Sequence, residues 1–172
     1  MGSSRGWPEW NNPEIVLYHG TLKEHLQNIV ANGVDTSVGR PNTDFGRGFY
    51  ATTWLTQAEQ WAETVGADEG KPHGILELRV DRLALRSLRS LAFIRGGQDA
   101  VDFWSFVAYC RNKYQRAPET HRYYDVVYGP VARTWFGIGN SEVLPDSDQI
   151  SFHGAEAQKF LRSRSCKLEV RK

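Results

Sequence analysis

The chain has 172 residues, with 21 Lys and Arg against 20 Asp and Glu, and this length favours one folded domain. Hydrophobic residues make up 40% and aromatic residues 12%, which excludes a disordered chain. The near-balance of charge excludes a protein that is strongly basic throughout, as many nucleic-acid-binding proteins are. The two cysteines form no disulfide framework or metal-binding motif. No signal peptide or membrane-spanning run is present, so we expect a soluble protein.

The N-terminal part of the chain is predicted to be irregular at first and then to form a strand and a helix. Residues 1–13 contain several prolines and asparagines and are predicted as a lead-in to a single domain over residues 14–172. The apolar run 15–18 is typical of a buried strand. A capping box at Thr21 is expected to open the following helix, and Gly33 is expected to end it.

The rest of the chain alternates loops, strands and helices. Residues 39–48 are rich in Gly, Pro, Asn and Thr, which indicates a loop, and residues 49–52 are prone to form a strand. A second capping box at Thr56 opens a helix that is expected to end at Gly66. The later predictions are a strand over 75–80, a helix over 99–114, strands over 125–128 and 149–152, a short helix carrying Ala157, Phe160 and Leu161, and an edge strand over 168–170. This order favours an α+β fold with a mostly antiparallel, split sheet.

Two short motifs are candidates for ligand binding. The segment 18–21 reads Tyr-His-Gly-Thr, in which the His19 ring can bind a ribose hydroxyl and the bare Gly20 peptide can bind an amide. The segment 43–50 reads Thr-Asp-Phe-Gly-Arg-Gly-Phe-Tyr, which allows a loop to fold over a flat ligand while a ring stacks on it. Taken singly, each motif is also typical of a plain turn or hairpin with core aromatics.

Together the two motifs resemble those of the ADP-ribosyltransferase superfamily, in particular its branch of proteins like poly(ADP-ribose) polymerase and diphtheria toxin. More narrowly, residues 17–62 resemble a microbial family of unknown function that has His-Gly-Thr and Asp-Phe-Gly-x-Gly-Phe-Tyr motifs. Residues 124–132 and 149–152 resemble its later blocks. The resemblance implies split, mostly antiparallel sheets with flanking helices, and it implies NAD as co-substrate.

The resemblance also implies roles for individual residues. His19 is expected to bind the ribose next to adenine or its neighbouring hydroxyl, and Gly20 to bind the nicotinamide carboxamide through its backbone. Tyr50 is expected to stack on the nicotinamide ring. Trp61, or alternatively Trp54, is expected to form the second wall of the site for the nicotinamide ring. Arg40 and Arg47 are expected to meet the diphosphate, with a solvated surface as the alternative for both. The remaining residues expected to bind NAD are Thr21, Phe45, Gly46 and Phe49.

The third expected catalytic position, after His19 and Tyr50, is Gln149. The superfamily's transferases usually place a glutamate at the start of a late strand, and by the order of the blocks Gln149 stands there. A glutamine can hydrogen-bond but lacks the negative charge that stabilises an oxocarbenium-like state. If the correspondence is shifted, the nearby acids that can supply this charge are Glu142, Asp146 and Asp148.

The resemblance thus implies an NAD-dependent mono-ADP-ribosyltransferase that releases nicotinamide and needs no metal. A protein side chain, arginine included, is favoured over nucleic acid as the macromolecular acceptor. An NAD glycohydrolase and a non-catalytic module that binds NAD or ADP-ribose are the alternatives. Small transferases of this kind often act as effectors or toxins, so the resemblance implies a location in the cytoplasm or in the interior of a target cell after delivery, without a membrane partner.

Overall fold

The computed structural model describes residues 12–94, 97–112, 120–135 and 141–171. Helices and mainly antiparallel sheets alternate along the chain, which confirms the predicted α+β class. The elements in chain order are β1 (Glu14–Leu22), α1 (Lys23–Asn32), β2 (Phe49–Ala51), α2 (Leu55–Glu69), β3 (His73–Asp81), α3 (Arg82–Leu85), β4 (Ser90–Ala92), α4 (Gly97–Arg111), α5 (Thr120–Tyr123), β5 (Val126–Gly129), β6 (Ala132–Trp135), β7 (Ser141–Val143), β8 (Gln149–Phe152), α6 (Gly154–Leu161) and β9 (Cys166–Val170).

The strands form two main sheets. Sheet A has the order β1-β3-β9 and is antiparallel throughout. Sheet B has the order β2-β8-β5-β4, in which β4 and β5 run parallel and the other pairs antiparallel. Strands β6 and β7 form a separate antiparallel pair. The chain passes back and forth between the two sheets, because β2 lies between β1 and β3 in sequence and β8 precedes β9.

The main hydrophobic core lies between the two sheets. Because side chains alternate along a strand, sheet A turns one set of side chains towards this core and the other set towards α2. The outer face of sheet B packs against α4 in the same way, so the layers run α2, sheet A, sheet B, α4. Residues from the two sheets that share the core include Leu17, Leu76, Leu78, Phe49, Ile150 and Phe152.

Both predicted capping boxes are wrong. Thr21 still belongs to β1, where it pairs with Gly74, and α1 begins after Leu22 without a side-chain cap. Thr56 lies inside α2, because that helix already begins at Leu55. The predicted C-cap of α1 is confirmed, since the N–H of Gly33 donates to the Ile29 carbonyl at 2.8 Å.

The predicted end of α2 at Gly66 is also wrong. The helix continues to Glu69 and ends at Gly70, which adopts a left-handed conformation with φ 61°. At Gly66 an added Cβ would lie 2.4 Å from Nδ1 of His73, so this glycine serves the close packing of α2 on β3. Gly66 is therefore a packing glycine, and Gly70 is the helix stop.

Most of the other predicted elements are confirmed within a few residues. Strand β8 has the predicted bounds, and β5 begins one residue later than predicted. Helix α4 ends at Arg111, and the predicted positions 113–114 lie outside the described residues, as do residues 1–11 of the lead-in. The division into a lead-in and one domain stays a prediction. The short elements α3, β4, α5, β6 and β7 were not predicted.

No helix in the described ranges combines the length and the apolar character that crossing a membrane requires.

Phe45 is the centre of an aromatic cluster between sheet B and α4. Its side chain is fully buried, and the centroids of four other rings lie between 6.0 and 6.4 Å from its own. These rings belong to Tyr50, Phe93, Phe103 and Phe106. The cluster therefore connects the loop of the second motif to the body of the domain.

We predict that Phe45→Ala lowers the free energy of unfolding by about 3–5 kcal/mol, because it leaves a cavity in this cluster. Urea unfolding followed by circular dichroism measures the change. The matched control is Tyr123→Ala, which removes a ring that is 70% exposed and is expected to cost less than about 0.5 kcal/mol. Equal losses for the two variants would contradict the assignment of Phe45 to the core.

Candidate functional site

The candidate site lies where β1 and β2 separate. The two strands meet in a bridge between Tyr18 and Thr52, with N···O distances of 2.7 and 2.9 Å. In an antiparallel pair, a step of two residues along one strand matches a step of two residues back along the other. The register of the bridge therefore places Gly20 opposite Tyr50. At that point β1 continues beside β3 and β2 beside β8, and the opening between Gly20 and Tyr50 is called the strand gap below.

Gly20 directs its backbone polar groups into the strand gap. Along a strand, the N–H and C=O of successive residues point to opposite edges. The N–H and C=O of Tyr18 both bond to Thr52. The N–H and C=O of Gly20, two residues further on, therefore point to the same edge of β1, away from β3. On the face of the sheet, an added Cβ at Gly20 would lie 2.1 Å from the carbonyl oxygen of Ala58 in α2. Glycine is required here by the close approach of α2.

The side chain of His19 spans the gap to the β2 backbone. Its Nδ1 lies 2.6 Å from the carbonyl oxygen of Tyr50, so Nδ1 carries the hydrogen and donates it. The ring also packs on Phe49, with the centroids 4.4 Å apart. Burial lowers the pKa of His19 to about 4, which leaves the ring neutral at pH 7 and makes Nε2 an acceptor. No described residue hydrogen-bonds to that Nε2.

The ring of Tyr50 is held in place by the loop that precedes it. Its hydroxyl accepts hydrogen bonds from Thr43 Oγ1 at 2.8 Å and from the Phe45 N–H at 3.0 Å, and it donates to the Gly46 carbonyl at 2.7 Å. Gly46 has φ 82°, a conformation that favours glycine. Burial raises the pKa of the Tyr50 hydroxyl far above its usual range. Tyr50 therefore offers a fixed, uncharged aromatic ring beside the gap.

Gln149 lies at the start of β8 and is bound to the same loop. Its Nε2 is 2.6 Å from Asp44 Oδ2 and 2.8 Å from the Pro130 carbonyl oxygen. Asp44 is buried, accepts the Ala132 N–H at 2.8 Å and forms an ion pair with Arg111. Sequence reasoning missed Asp44 and Arg111, although Asp44 directly precedes the Phe-Gly of the second motif. Gln149 thus anchors the loop as well as standing at the expected catalytic position.

Of the two candidate tryptophans, Trp61 lies nearer to Gly20 along α2. It sits between Ala58 and Ala62, the two helix residues whose backbone would contact a Cβ at Gly20. Its side chain is 53% exposed, and that of Trp54 is 46% exposed. Both rings are free to meet a ligand, but only Trp61 belongs to the helical turn that packs on Gly20.

The other residues expected to bind NAD lie in varied surroundings. Arg47 is exposed and donates to the Ser37 carbonyl at 3.0 Å, and Arg40 is exposed. Thr21 is buried, with its Oγ1 3.2 Å from His25 Nδ1. Phe45 and Phe49 are buried in the two cores. In this structure these two phenylalanines can support the site from behind but do not offer a surface to a ligand.

The three acids considered as substitutes for Gln149 differ in their burial and in their distance along the chain from the bridge residues. Glu142 is exposed on β7, and Asp146 lies in an exposed turn with φ 47°. Asp148 is buried, and its carboxylate accepts hydrogen bonds from Thr52 and Thr53 at 2.5 to 2.8 Å. Asp148 therefore holds the segment between β2 and α2, beside the bridge that borders the gap.

Two cavities lie outside the strand gap, and the larger one reaches Ala62 and Ile75 beside Gly20. A cavity of about 820 Å³ opens between α1 and α2 at the start of β3 and is bordered by Lys23, Leu26, Val30, Glu59, Glu63 and Arg171, among others. A second cavity of about 170 Å³ lies beside α4, next to Phe103 and Trp104. Neither is lined by His19, Gly20 or Tyr50. We favour the strand gap as the site because it gathers backbone and side-chain hydrogen-bonding groups beside an aromatic ring.

Within the described parts of the chain, no three or more His, Cys, Asp or Glu side chains are grouped so that they could hold a metal ion.

Fold and site together define a small α+β protein whose candidate site lies between two mainly antiparallel sheets. The model of the family described as "Protein of unknown function (DUF3990)" matches residues 15–136, and the chain belongs to that family. The matched region includes His19, Gly20, Asp44 and Tyr50, whereas β8 with Gln149 lies beyond it. No curated protein matches the chain.

The two histidines with lowered pKa values predict a loss of stability in mildly acidic solution. Burial lowers the pKa of both His19 and His153 from 6.5 to about 4. Between these values the unfolded chain binds a proton that the folded chain does not, so the free energy of unfolding falls as the pH falls through this window. Each histidine contributes a slope of at most about 1.4 kcal/mol per pH unit.

Urea unfolding at pH 7 and pH 5 measures this dependence. His19→Gln keeps a side-chain N–H but removes the titrating ring, so we expect its loss of stability between the two pH values to be smaller than that of the unsubstituted protein. The matched control is His73→Gln, at an exposed histidine. A dependence in His19→Gln as steep as in the unsubstituted protein would contradict the prediction.

Proposed function

We propose that the protein is an NAD-dependent mono-ADP-ribosyltransferase, which moves ADP-ribose from NAD to a macromolecular acceptor and releases nicotinamide. The observation that carries the proposal is the strand gap, in which the backbone N–H and C=O of Gly20 point across to Tyr50. A carboxamide has one acceptor oxygen and a donor NH₂, which together match the two backbone groups of a single strand residue. The flat pyridine ring attached to it suits an aromatic wall.

Two side chains near the gap offer hydrogen-bond acceptors to the ribose hydroxyls of NAD. Neutral His19 offers Nε2 as an acceptor, and the Gln149 amide, whose nitrogen is occupied, offers Oε1. Ribose hydroxyls donate hydrogen bonds, so two neutral acceptors complement a diol. The match supports NAD or ADP-ribose over a ligand that carries only acceptor groups, such as sulfate.

The proposed reaction breaks the bond between the nicotinamide nitrogen and C1′ of the ribose. The electron pair of that bond leaves with nicotinamide, which departs neutral, and positive charge develops on the ribose. A lone pair of the acceptor then forms the new bond to C1′, and the acceptor gives up a proton to solvent. Gln149 contributes a dipole rather than a full negative charge, so it stabilises the positive charge on the ribose only weakly. We therefore assign most of the rate acceleration to holding NAD and the acceptor in line.

The charge of α2 favours a protein acceptor over nucleic acid. This helix borders Gly20 and carries four acidic residues and no lysine or arginine. The acids are exposed and repel phosphate groups while attracting cationic side chains. We therefore propose that the acceptor is a side chain on a basic protein surface, arginine included. The acidic residues are Glu59, Glu63, Asp68 and Glu69.

One observation favours a second candidate, a module that binds NAD or ADP-ribose without cleaving it. Asp44 and Asp148 are both occupied by donors from the protein, and Gln149 is uncharged. A site without a free carboxylate has less power to stabilise an oxocarbenium-like state. Such a site can still bind the ligand in the same orientation.

Incubation with NAD labelled in the adenylate phosphate distinguishes these functions. Label that appears on proteins of a cell lysate, with release of nicotinamide, supports the transferase. Release that needs no lysate and leaves free ADP-ribose supports an NAD glycohydrolase. Binding of NAD in calorimetry without release supports the module, and neither binding nor release overturns the assignment of the site.

We predict that His19→Ala and Trp61→Ala each weaken NAD binding or nicotinamide release by about tenfold or more, since each removes one polar or stacking contact. Calorimetry and a nicotinamide assay give the two readouts. His73→Ala and Tyr123→Ala are matched controls, one for each side chain, at exposed positions away from the gap. If both site variants behave like their controls, the ligand does not occupy the strand gap.

A further inference from the structure

Asp44 is a buried carboxylate to which the proposed chemistry gives no role. It lies in the second motif and its side chain is almost fully enclosed. One of its oxygens faces the Arg111 guanidinium, and the other accepts from the Ala132 N–H and from Gln149 Nε2. A buried charge is costly unless it is paired and hydrogen-bonded, and Arg111 meets that need. The contact with Gln149 is a separate feature.

The two acceptors around Nε2 determine which way the Gln149 amide faces. Asp44 Oδ2 and the Pro130 carbonyl oxygen lie 2.6 and 2.8 Å from that nitrogen. An oxygen at the same position would meet two acceptors without a hydrogen between them, so the NH₂ group must face them. Both of its hydrogens are then used. The carbonyl Oε1 is left on the opposite side of the amide, where no described residue donates to it.

The register of sheet B places this amide beside the strand gap. Tyr50 pairs with Ser151, and Ala51 pairs with Ile150, so the next position of the β2 chain, Thr52, comes level with Gln149. Side chains two residues apart on a strand share a face, which puts Gln149 on the same face of sheet B as Ser151 and Tyr50. Gln149 therefore lies on β8, the strand next to β2, and β2 carries the Tyr50 wall of the gap.

From these contacts we propose that Asp44 is a positioning residue, which holds Gln149 by its nitrogen so that Oε1 accepts a ribose hydroxyl in the strand gap. The ribose contact rests on the proposed function. The same contacts explain why residue 149 is a glutamine. A glutamate there would place a second buried carboxylate oxygen about 2.6 Å from Asp44, and like charges at that distance cannot both stay ionised.

The positioning itself is tested by NMR, without NAD. In ¹⁵N-labelled protein, the side-chain NH₂ signals of Gln149 are identified by their loss in Gln149→Met. We expect these hydrogens to exchange with solvent at least about tenfold more slowly than those of exposed Gln60. Asp44→Ala is expected to abolish this protection. Asp44→Asn is expected to keep it, because the asparagine oxygen can take over from Oδ2 while Arg111 turns to the Ala132 carbonyl that it already contacts.

The consequence for the reaction is tested by nicotinamide release. We expect Asp44→Ala and Gln149→Met each to lower kcat/KM by about tenfold or more, and the double variant to be no worse than Gln149→Met. Asp44→Asn is expected to stay within about threefold of the unsubstituted protein. Asp125→Asn is the matched control: Asp125 is also buried, pairs with Arg89 and accepts a backbone N–H. It should change neither readout.

Three results would overturn the inference: protection of the Gln149 amide in Asp44→Ala, loss of that protection in Asp44→Asn, or additive losses of kcat/KM in the double variant. Urea unfolding of each variant separates these effects from loss of fold. If Asp44→Ala does not fold, Asp44→Asn still decides, through the NMR signals. If the unsubstituted protein neither binds nor cleaves NAD, the proposed function fails together with the ribose contact, while the NMR result still decides whether Asp44 orients Gln149.

Discussion

One backbone bridge determines the geometry of the candidate site. The hydrogen bonds between Tyr18 and Thr52 join two sheets that otherwise pair with their own neighbours, and they set the register across the strand gap. The direction of the Gly20 N–H and C=O, the position of Tyr50 opposite Gly20 and the reach of His19 all follow from that register. A slip of β2 by one residue at the bridge would move Tyr50 from its place opposite Gly20 and turn its side chain to the other face of the sheet.

The fold class and most long elements could be predicted because they depend on local patterns. An apolar run identified β1, and the spacing of Phe103, Phe106 and Val107 identified α4. Helix starts failed because Thr21 and Thr56 have the residue types of a cap without the position of one. The short strands of β4, β6 and β7 carry too few residues to show a period, and tertiary pairing defines them.

The candidate site could be predicted in part. His19, Gly20 and Tyr50 are close in sequence within two motifs, and the structure brings the motifs together. The partners of Asp44 are 67, 88 and 105 residues away in sequence, so no local pattern announces them. Two further residues of the second motif have packing roles that the motif does not reveal. Phe45 fills a core, and Gly48 is needed because a Cβ there would lie 2.7 Å from His153 Nδ1.

The two walls of the strand gap belong to different sheets, and this gives the core between those sheets a mechanical role. Apart from the bridge, the sheets are held at their relative angle by the packing of Leu17, Leu76 and Leu78 on Phe49 and Phe152. Packed layers move past one another by small sliding displacements more readily than they break strand hydrogen bonds. A sliding displacement of the two sheets would therefore change the width of the strand gap through repacking of methyl groups and rings in this core.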